Sequence, residues 1–111
     1  MFAFSRYSSQ NRAMNHEDAI GILRGHAEEL RARGVTRLDL YGSTARGEAR
    51  PGSDIDVVVD IEPGRKFSLI DLASLRVFLC DIFGCEADVI VREDLRPRFR
   101  EEIEREAVQV L

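Results

Sequence analysis

At 111 residues, with 44% hydrophobic and 32% charged side chains, the chain has the composition of a globular domain and room for one of them, burying roughly two-thirds of its unfolded surface. No run approaches the ~20 apolar residues needed to cross a bilayer, and Met1-Phe2-Ala3-Phe4 before Arg6 lacks the apolar core of a signal peptide, so no membrane partner and a cytoplasmic location are expected. A formal charge of -4 argues against wholesale binding of a phosphate backbone, so nucleic acid is not expected as a main partner, although Arg46, Arg50, Arg65 and Lys66 leave local positive charge for a nucleotide.

Residues 1–14 are rich in Ser, Asn and Gln without sustained periodicity, and are expected to be mobile on their own; the domain proper is expected to span residues 15–111. Asn15, with Asp18 three residues on, can cap a helix whose apolar positions Ile20, Leu23, Ala27 and Leu30 recur until Gly34. His16 and His26 are read as surface residues of that helix. Leu38 and Leu40 alternate with Arg37 and Asp39, which predicts a half-buried strand delivering Tyr41 to Gly42. Gly42 and Gly47 then bracket a segment able to turn tightly and begin a short helix near Ser43. The run Val57-Val58-Val59 predicts a buried strand, stopped after Ile61 by Pro63-Gly64.

Ser68 and Asp71 form a capping box, with Phe67 and Leu72 as its hydrophobic staple, for a helix that runs to about Phe83 and ends at Gly84. Leu69, Leu72, Leu75, Leu79 and Ile82 are its expected apolar stripe. Cys80 and Cys85 have no histidine nearby to complete a zinc set and are read as core thiols. A third strand covers Glu86-Ala87-Asp88-Val89-Ile90-Val91, and a last helix from about Arg98 places Phe99, Ile103, Ala107 and Val110 on one face. This order predicts a mixed α/β (α+β) fold, a small mixed sheet with helices mainly on one face and the opposite face left open.

Chemistry concentrates between the first two strands. Asp54 and Asp56 are separated by one residue at a strand's start, so both project to one side of the sheet with Cα atoms ~7 Å apart, while Ile55, Val57, Val59 and Ile61 project to the other. Like charges this close repel, and a divalent cation removes the conflict; Mg2+ takes one or two carboxylates completed by water and substrate phosphates. Upstream, Gly42 and Ser43 present backbone N–H groups and a hydroxyl to an anion, and Arg46 adds a fork for phosphate oxygens. A lone Asp-x-Asp is more often a capped turn followed by a solvated strand residue. Its combination with Gly42-Ser43, Arg46-Gly47 and Ser53-Asp54 in one short window instead points to a site for a metal and a nucleotide. Asp88 lies where an all-apolar strand would be expected and is the candidate third carboxylate.

Gly42-Ser43, ten intervening residues, then Asp54-Ile55-Asp56, with Ala45-Arg46-Gly47 and the later Asp88, closely resemble the minimal nucleotidyltransferase domains of the DNA polymerase beta superfamily. The match spans roughly residues 35–111. The ending, from Leu95-Arg96-Pro97 through Glu106-Ala107-Val108, resembles that of small bacterial members that serve as antitoxins beside a HEPN-domain toxin. The resemblance implies a polymerase beta-like nucleotidyltransferase fold, contact of Ser43 with a nucleoside triphosphate, Mg2+ on Asp54 and Asp56, and Asp88 as the third acidic residue, activating the attacking hydroxyl. Gly42, Arg46 and Ser53 belong to the same nucleotide-binding set. It also implies ATP as donor and a hydroxyl, tyrosine foremost, of a HEPN toxin as acceptor. No Arg-x-x-x-x-His motif of a HEPN ribonuclease occurs in the chain, which would therefore be the modifying half of such a pair. Two further readings stay open at this point, an antitoxin acting by binding alone and a nucleotidyltransferase acting on a small molecule.

Overall fold

The computed structural model describes residues 15–42 and 55–111, so the segment 1–14 and the short helix expected near Ser43 lie outside the described residues. Helix α1 (His16–Gly25) starts where Asn15 accepts a hydrogen bond from the Asp18 amide at 2.8 Å, as its sequence position predicts. It is not one helix to Gly34. The chain leaves helical geometry at His26 (φ -117°, ψ 21°), and α2 (Ala27–Ala32) follows as a separate piece. His26 is correspondingly no plain surface residue: it is half-buried, its Nδ1 lies 2.9 Å from the Ile22 carbonyl oxygen, and its ring stands edge-on to Phe78 at 5.8 Å.

Among the described residues four strands lie in the order β3-β2-β1-β4 across the sheet: β1 (Val35–Tyr41), β2 (Ile55–Ile61), β3 (Ala87–Val91) and β4 (Val108–Gln109). β1 is antiparallel to both β2 and β4, and β2 is parallel to β3. That parallel step requires a crossover, supplied by α3 (Leu69–Phe83). The helix begins with the predicted capping box, since the Ser68 hydroxyl accepts from the Asp71 amide at 3.2 Å and the Asp71 carboxylate accepts from the Ser68 amide at 2.8 Å. Gly84, left-handed at φ 72°, ends it.

Period-2 alternation decides which side chains meet the helices. Leu38, Leu40, Ile55, Val57, Val59 and Ala87 join Ala19, Leu23, Leu30, Leu75, Leu79, Cys80 and Phe83 in one core, each fully buried leucine contributing roughly 2 kcal/mol. Leu69 does not join them. It is 83% exposed, with Ile70 at 80% and Val77 at 65%, so the outer surface of α3 is apolar, and of the expected stripe Leu75, Leu79 and Ile82 meet the core. After a 3-10 turn (Arg92–Asp94), α4 (Pro97–Glu106) is shorter than expected: Ala107 caps it, and Val110, expected on its face, lies beyond β4 with its amide bonded to the Leu38 carbonyl at 2.8 Å. Among the described residues no helix is long and apolar enough to cross a membrane.

Candidate active site

The face of the sheet opposite the core carries Tyr41 on β1, Asp56 on β2 and Asp88 on β3. Tyr41 is the register partner of Asp56, and Asp56 is the register partner of Asp88. Directly paired residues share a face with strands about 4.8 Å apart, so the phenol and the two carboxylates form one row across three strands. Two sequence-predicted residues far apart in the chain are thus brought together, and Tyr41, predicted only as the strand's last residue, joins them. Asp56 is half-buried, while Asp88 is exposed on the strand at the sheet's edge.

Gly42 seats Asp56. At φ +79° it turns the chain out of β1, and a Cβ built on it would stand 2.7 Å from Asp56 Oδ2. A carboxylate oxygen thus fills the space that any larger residue would need, which ties the predicted glycine to the predicted aspartate by contact. Tyr41 senses the same charges: burial pushes its phenol above the ordinary value near 10.0, and Asp56 and Asp88 push it further the same way. Ser43, Arg46, Ser53 and Asp54 lie outside the described residues, and so does any contact they make.

Hard carboxylate oxygens suit Mg2+, and Asp56 and Asp88 are two such groups on one face of the sheet. Among the described residues, no group of three or more His, Cys, Asp or Glu side chains gathers around one point. Asp54, the other carboxylate expected from the sequence, lies outside the described residues.

Sequence reasoning missed an ion-pair cluster further along the strands on the same face. Asp39, expected to alternate into solvent, is 2% exposed; it accepts from Arg37 at 3.0 and 3.1 Å and from Arg92 Nη2 at 2.8 Å. Arg92 Nε also donates to Asp60 at 2.7 Å, and Glu104 on α4 lies 3.8 Å from Arg92 Nη1. One buried guanidinium therefore clamps β1, β2 and α4 to the end of β3. Burial opposes its charge, but hydrogen bonds to Asp39 and Asp60 outweigh that and raise its pKa. The only advance signal was Arg92 itself, on the same strand face as Asp88 and Ile90.

A family model described as a nucleotidyltransferase domain matches residues 23–110. The chain is 35% identical over 95 residues to the protein adenylyltransferase MntA of Thermococcus cleftensis, covering 85% of this chain and 94% of that one. A solved structure of a candidate minimal nucleotidyltransferase superposes with a TM-score of 0.74 at 36% identity, covering 86% of this chain and 95% of its own. A further structure, of a tri-AMPylated Shewanella oneidensis HEPN toxin in complex with an MNT antitoxin, shares the fold at a TM-score of 0.61 and 15% identity, covering 81% and 69% of the two chains. The mixed sheet, the row of carboxylates behind Gly42 and a family match over most of the sequence agree, and the chain belongs to the nucleotidyltransferase domain family.

Proposed function

We propose that this protein is the antitoxin of a toxin-antitoxin pair and transfers AMP from ATP to a hydroxyl, tyrosine foremost, of a HEPN-domain toxin. The observation that carries the reading is the Tyr41-Asp56-Asp88 row behind Gly42, which gathers two acidic residues on the open face where a phosphorylated substrate can reach them. Similarity to a protein adenylyltransferase and the shared fold of an MNT antitoxin support the choice of reaction and partner. A macromolecular acceptor also suits the apolar outer surface of α3. Leu69, Leu72 and Ala73 line a hollow of about 290 Å3 that ends at Asp88, and large exposed apolar surfaces mark contact with other proteins.

In this mechanism the acceptor oxygen attacks the α-phosphorus of ATP, its proton passes to Asp88, and the bond to the bridging oxygen breaks so that pyrophosphate leaves with that electron pair. Asp54 and Asp56 would hold Mg2+, which when bound would supply neutralisation of charge on the phosphates. Gly42 and Ser43, with Arg46 and Ser53, hold the triphosphate. Asp56 lies against Gly42, and Asp88 is exposed on the edge strand, open to a docked protein.

Intact-mass spectrometry of a HEPN toxin incubated with this protein, ATP and Mg2+ tests the reading. A mass gain of one or more AMP moieties on the toxin is expected, and Asp56→Asn should abolish it while leaving the melting temperature unchanged. A neutralised toxin of unchanged mass means inhibition by binding alone, and the enzyme reading gives way.

A further inference from the structure

We propose that the acceptor segment of the partner protein binds as an added strand along the outer edge of β3, with its hydroxyl-bearing residue beside Asp88 and an adjacent apolar residue in the hollow beneath α3. This deepens the reading above and rests on it, because it asks how a protein acceptor is presented to the carboxylate row. β3 is bonded to β2 on one side, and on its other side no strand lies among the described residues. The ladder decides which backbone groups that open side offers. The Ile55 amide donates to the Glu86 carbonyl at 3.0 Å, and Ile55 is in register with Ala87. The parallel pattern therefore turns the amides and carbonyls of Asp88 and Ile90 toward β2 and those of Ala87, Val89 and Val91 outward. Helix α3 already occupies the first of these. Arg76 Nε donates to the Ala87 carbonyl at 3.1 Å, and the Ala87 backbone hydrogen-bonds to the Cys80 thiol. Val89 and Val91 meet no such partner among the described residues, and an unpaired edge is a template for another strand.

Period-2 alternation specifies the segment. A residue paired beside Asp88 shares its face, the open one that carries the carboxylate row, whereas its chain neighbour, beside Val89, turns to the other face. There Leu69, Leu72 and Ala73 wall the hollow of about 290 Å3, next to Val89. An apolar side chain suits that lining. The segment is thus a hydroxyl-bearing residue with a large apolar neighbour, held extended. Two open edge residues and one hollow fall well short of the ~800 Å2 per partner that a stable complex buries. Such a contact suits a substrate segment that leaves after transfer and disfavours a second copy of this chain at the same edge.

A HEPN toxin with ATP and Mg2+ supplies the assay, read by intact mass and by mapping of the modified residue. Val89→Pro removes an amide hydrogen that the ladder to β2 does not use, at an edge position where proline is tolerated, and should raise the KM for toxin about tenfold with the KM for ATP unchanged. Ala73→Lys, at an exposed helical position, fills the hollow and should act the same way. The modified residue should have a large apolar neighbour in the toxin sequence, and aspartate in place of that neighbour should lower transfer about tenfold. Amide exchange followed by NMR on the wild-type protein makes the test independent of how the variants fold: bound toxin should slow exchange at Val89 and Val91, with Asp88 and Ile90, already bonded to β2, as references. Transfer by wild type with a KM for toxin unmoved by both variants, or with Val89 and Val91 unprotected, overturns the added strand and leaves the transferase reading standing. Protected amides with no AMP transferred uphold the added strand and overturn the transferase reading. Neither protection nor transfer overturns both.

Discussion

Gly42 lacks a side chain at a place where Asp56 leaves no room for one. Gly64 makes a useful control, because it has a similar backbone angle (φ +82° against +79°) with nothing within 4 Å of where its Cβ would be. Alanine at either position strains the backbone by about 1–2 kcal/mol. Only Gly42→Ala also displaces the carboxylate, so it should lose at least ~10-fold in AMP transfer, while Gly64→Ala should transfer as wild type at a similarly lowered melting temperature. Equal activities for the two variants would detach Gly42 from the site. Asp39 and Arg92 predict a stability effect instead. Among the described residues, Arg92→Met leaves the 2% exposed Asp39 carboxylate with the half-exposed Arg37 as its remaining cationic partner, a loss of about 3 kcal/mol in chemical denaturation. Arg37→Met, at a side chain 43% exposed, should cost under about 1 kcal/mol. Asp56 was legible as a candidate from its spacing to Asp54 behind the Gly42-Ser43 turn, and Asp88 because it interrupts an apolar strand. Asp39 was not, because its partner lies 53 positions away and an alternating strand looks the same whether its polar side meets water or an arginine.

Helix ends were readable where their determinants are local. Asn15, Ser68, Asp71 and Gly84 act within a few residues of themselves, and each end formed where the sequence placed it. Faces were harder to read. α3 carries Leu69, Ile70, Leu72, Ala73, Leu75, Val77, Phe78 and Leu79, apolar on nearly every side, so periodicity does not tell which side meets the sheet. β4 is two residues long and is fixed by pairing with Asp39 and Leu40 far upstream, so it left no periodic signal. The Ser68-Asp71 box makes a pH prediction at this scale. Hydrogen bonds from the Ser68 amide and hydroxyl hold the Asp71 carboxyl below its ordinary value near 3.8. A depressed carboxylate pKa contributes stability above the unfolded value and loses it as pH falls through the folded one. Asp71→Asn should therefore be less stable than wild type at neutral pH, and the two should converge in acid once Asp71 is protonated. A gap that persists unchanged in acid would mean that the cap's contribution does not depend on the charge.

At the scale of the whole molecule, the sheet treats its two edges differently. β3, which carries the exposed Asp88, stands at one edge of the described strands. The other edge would be β1, a seven-residue strand at the centre of the fold, were it not covered by the chain's last residues. Val108 and Gln109 pair with Leu40 and Asp39, the Val110 and Leu111 amides both reach the Leu38 carbonyl at 2.8 and 3.2 Å, and Val110 is buried in the core at 7% exposure. Unpaired strand edges recruit other strands. Removing residues 108–111 should therefore do two separable things: lower the melting temperature through the lost packing of Val110, and produce concentration-dependent association through the uncovered edge of β1. Val110→Ser isolates the first effect, because it empties the core position while leaving the backbone pairs in place. Size-exclusion chromatography over a range of concentrations should show association by the truncated chain and none by Val110→Ser, with both melting below wild type. A truncated chain that elutes at one position at every concentration would mean that β4 serves packing alone and that the edge of β1 is protected by something other than its pairing.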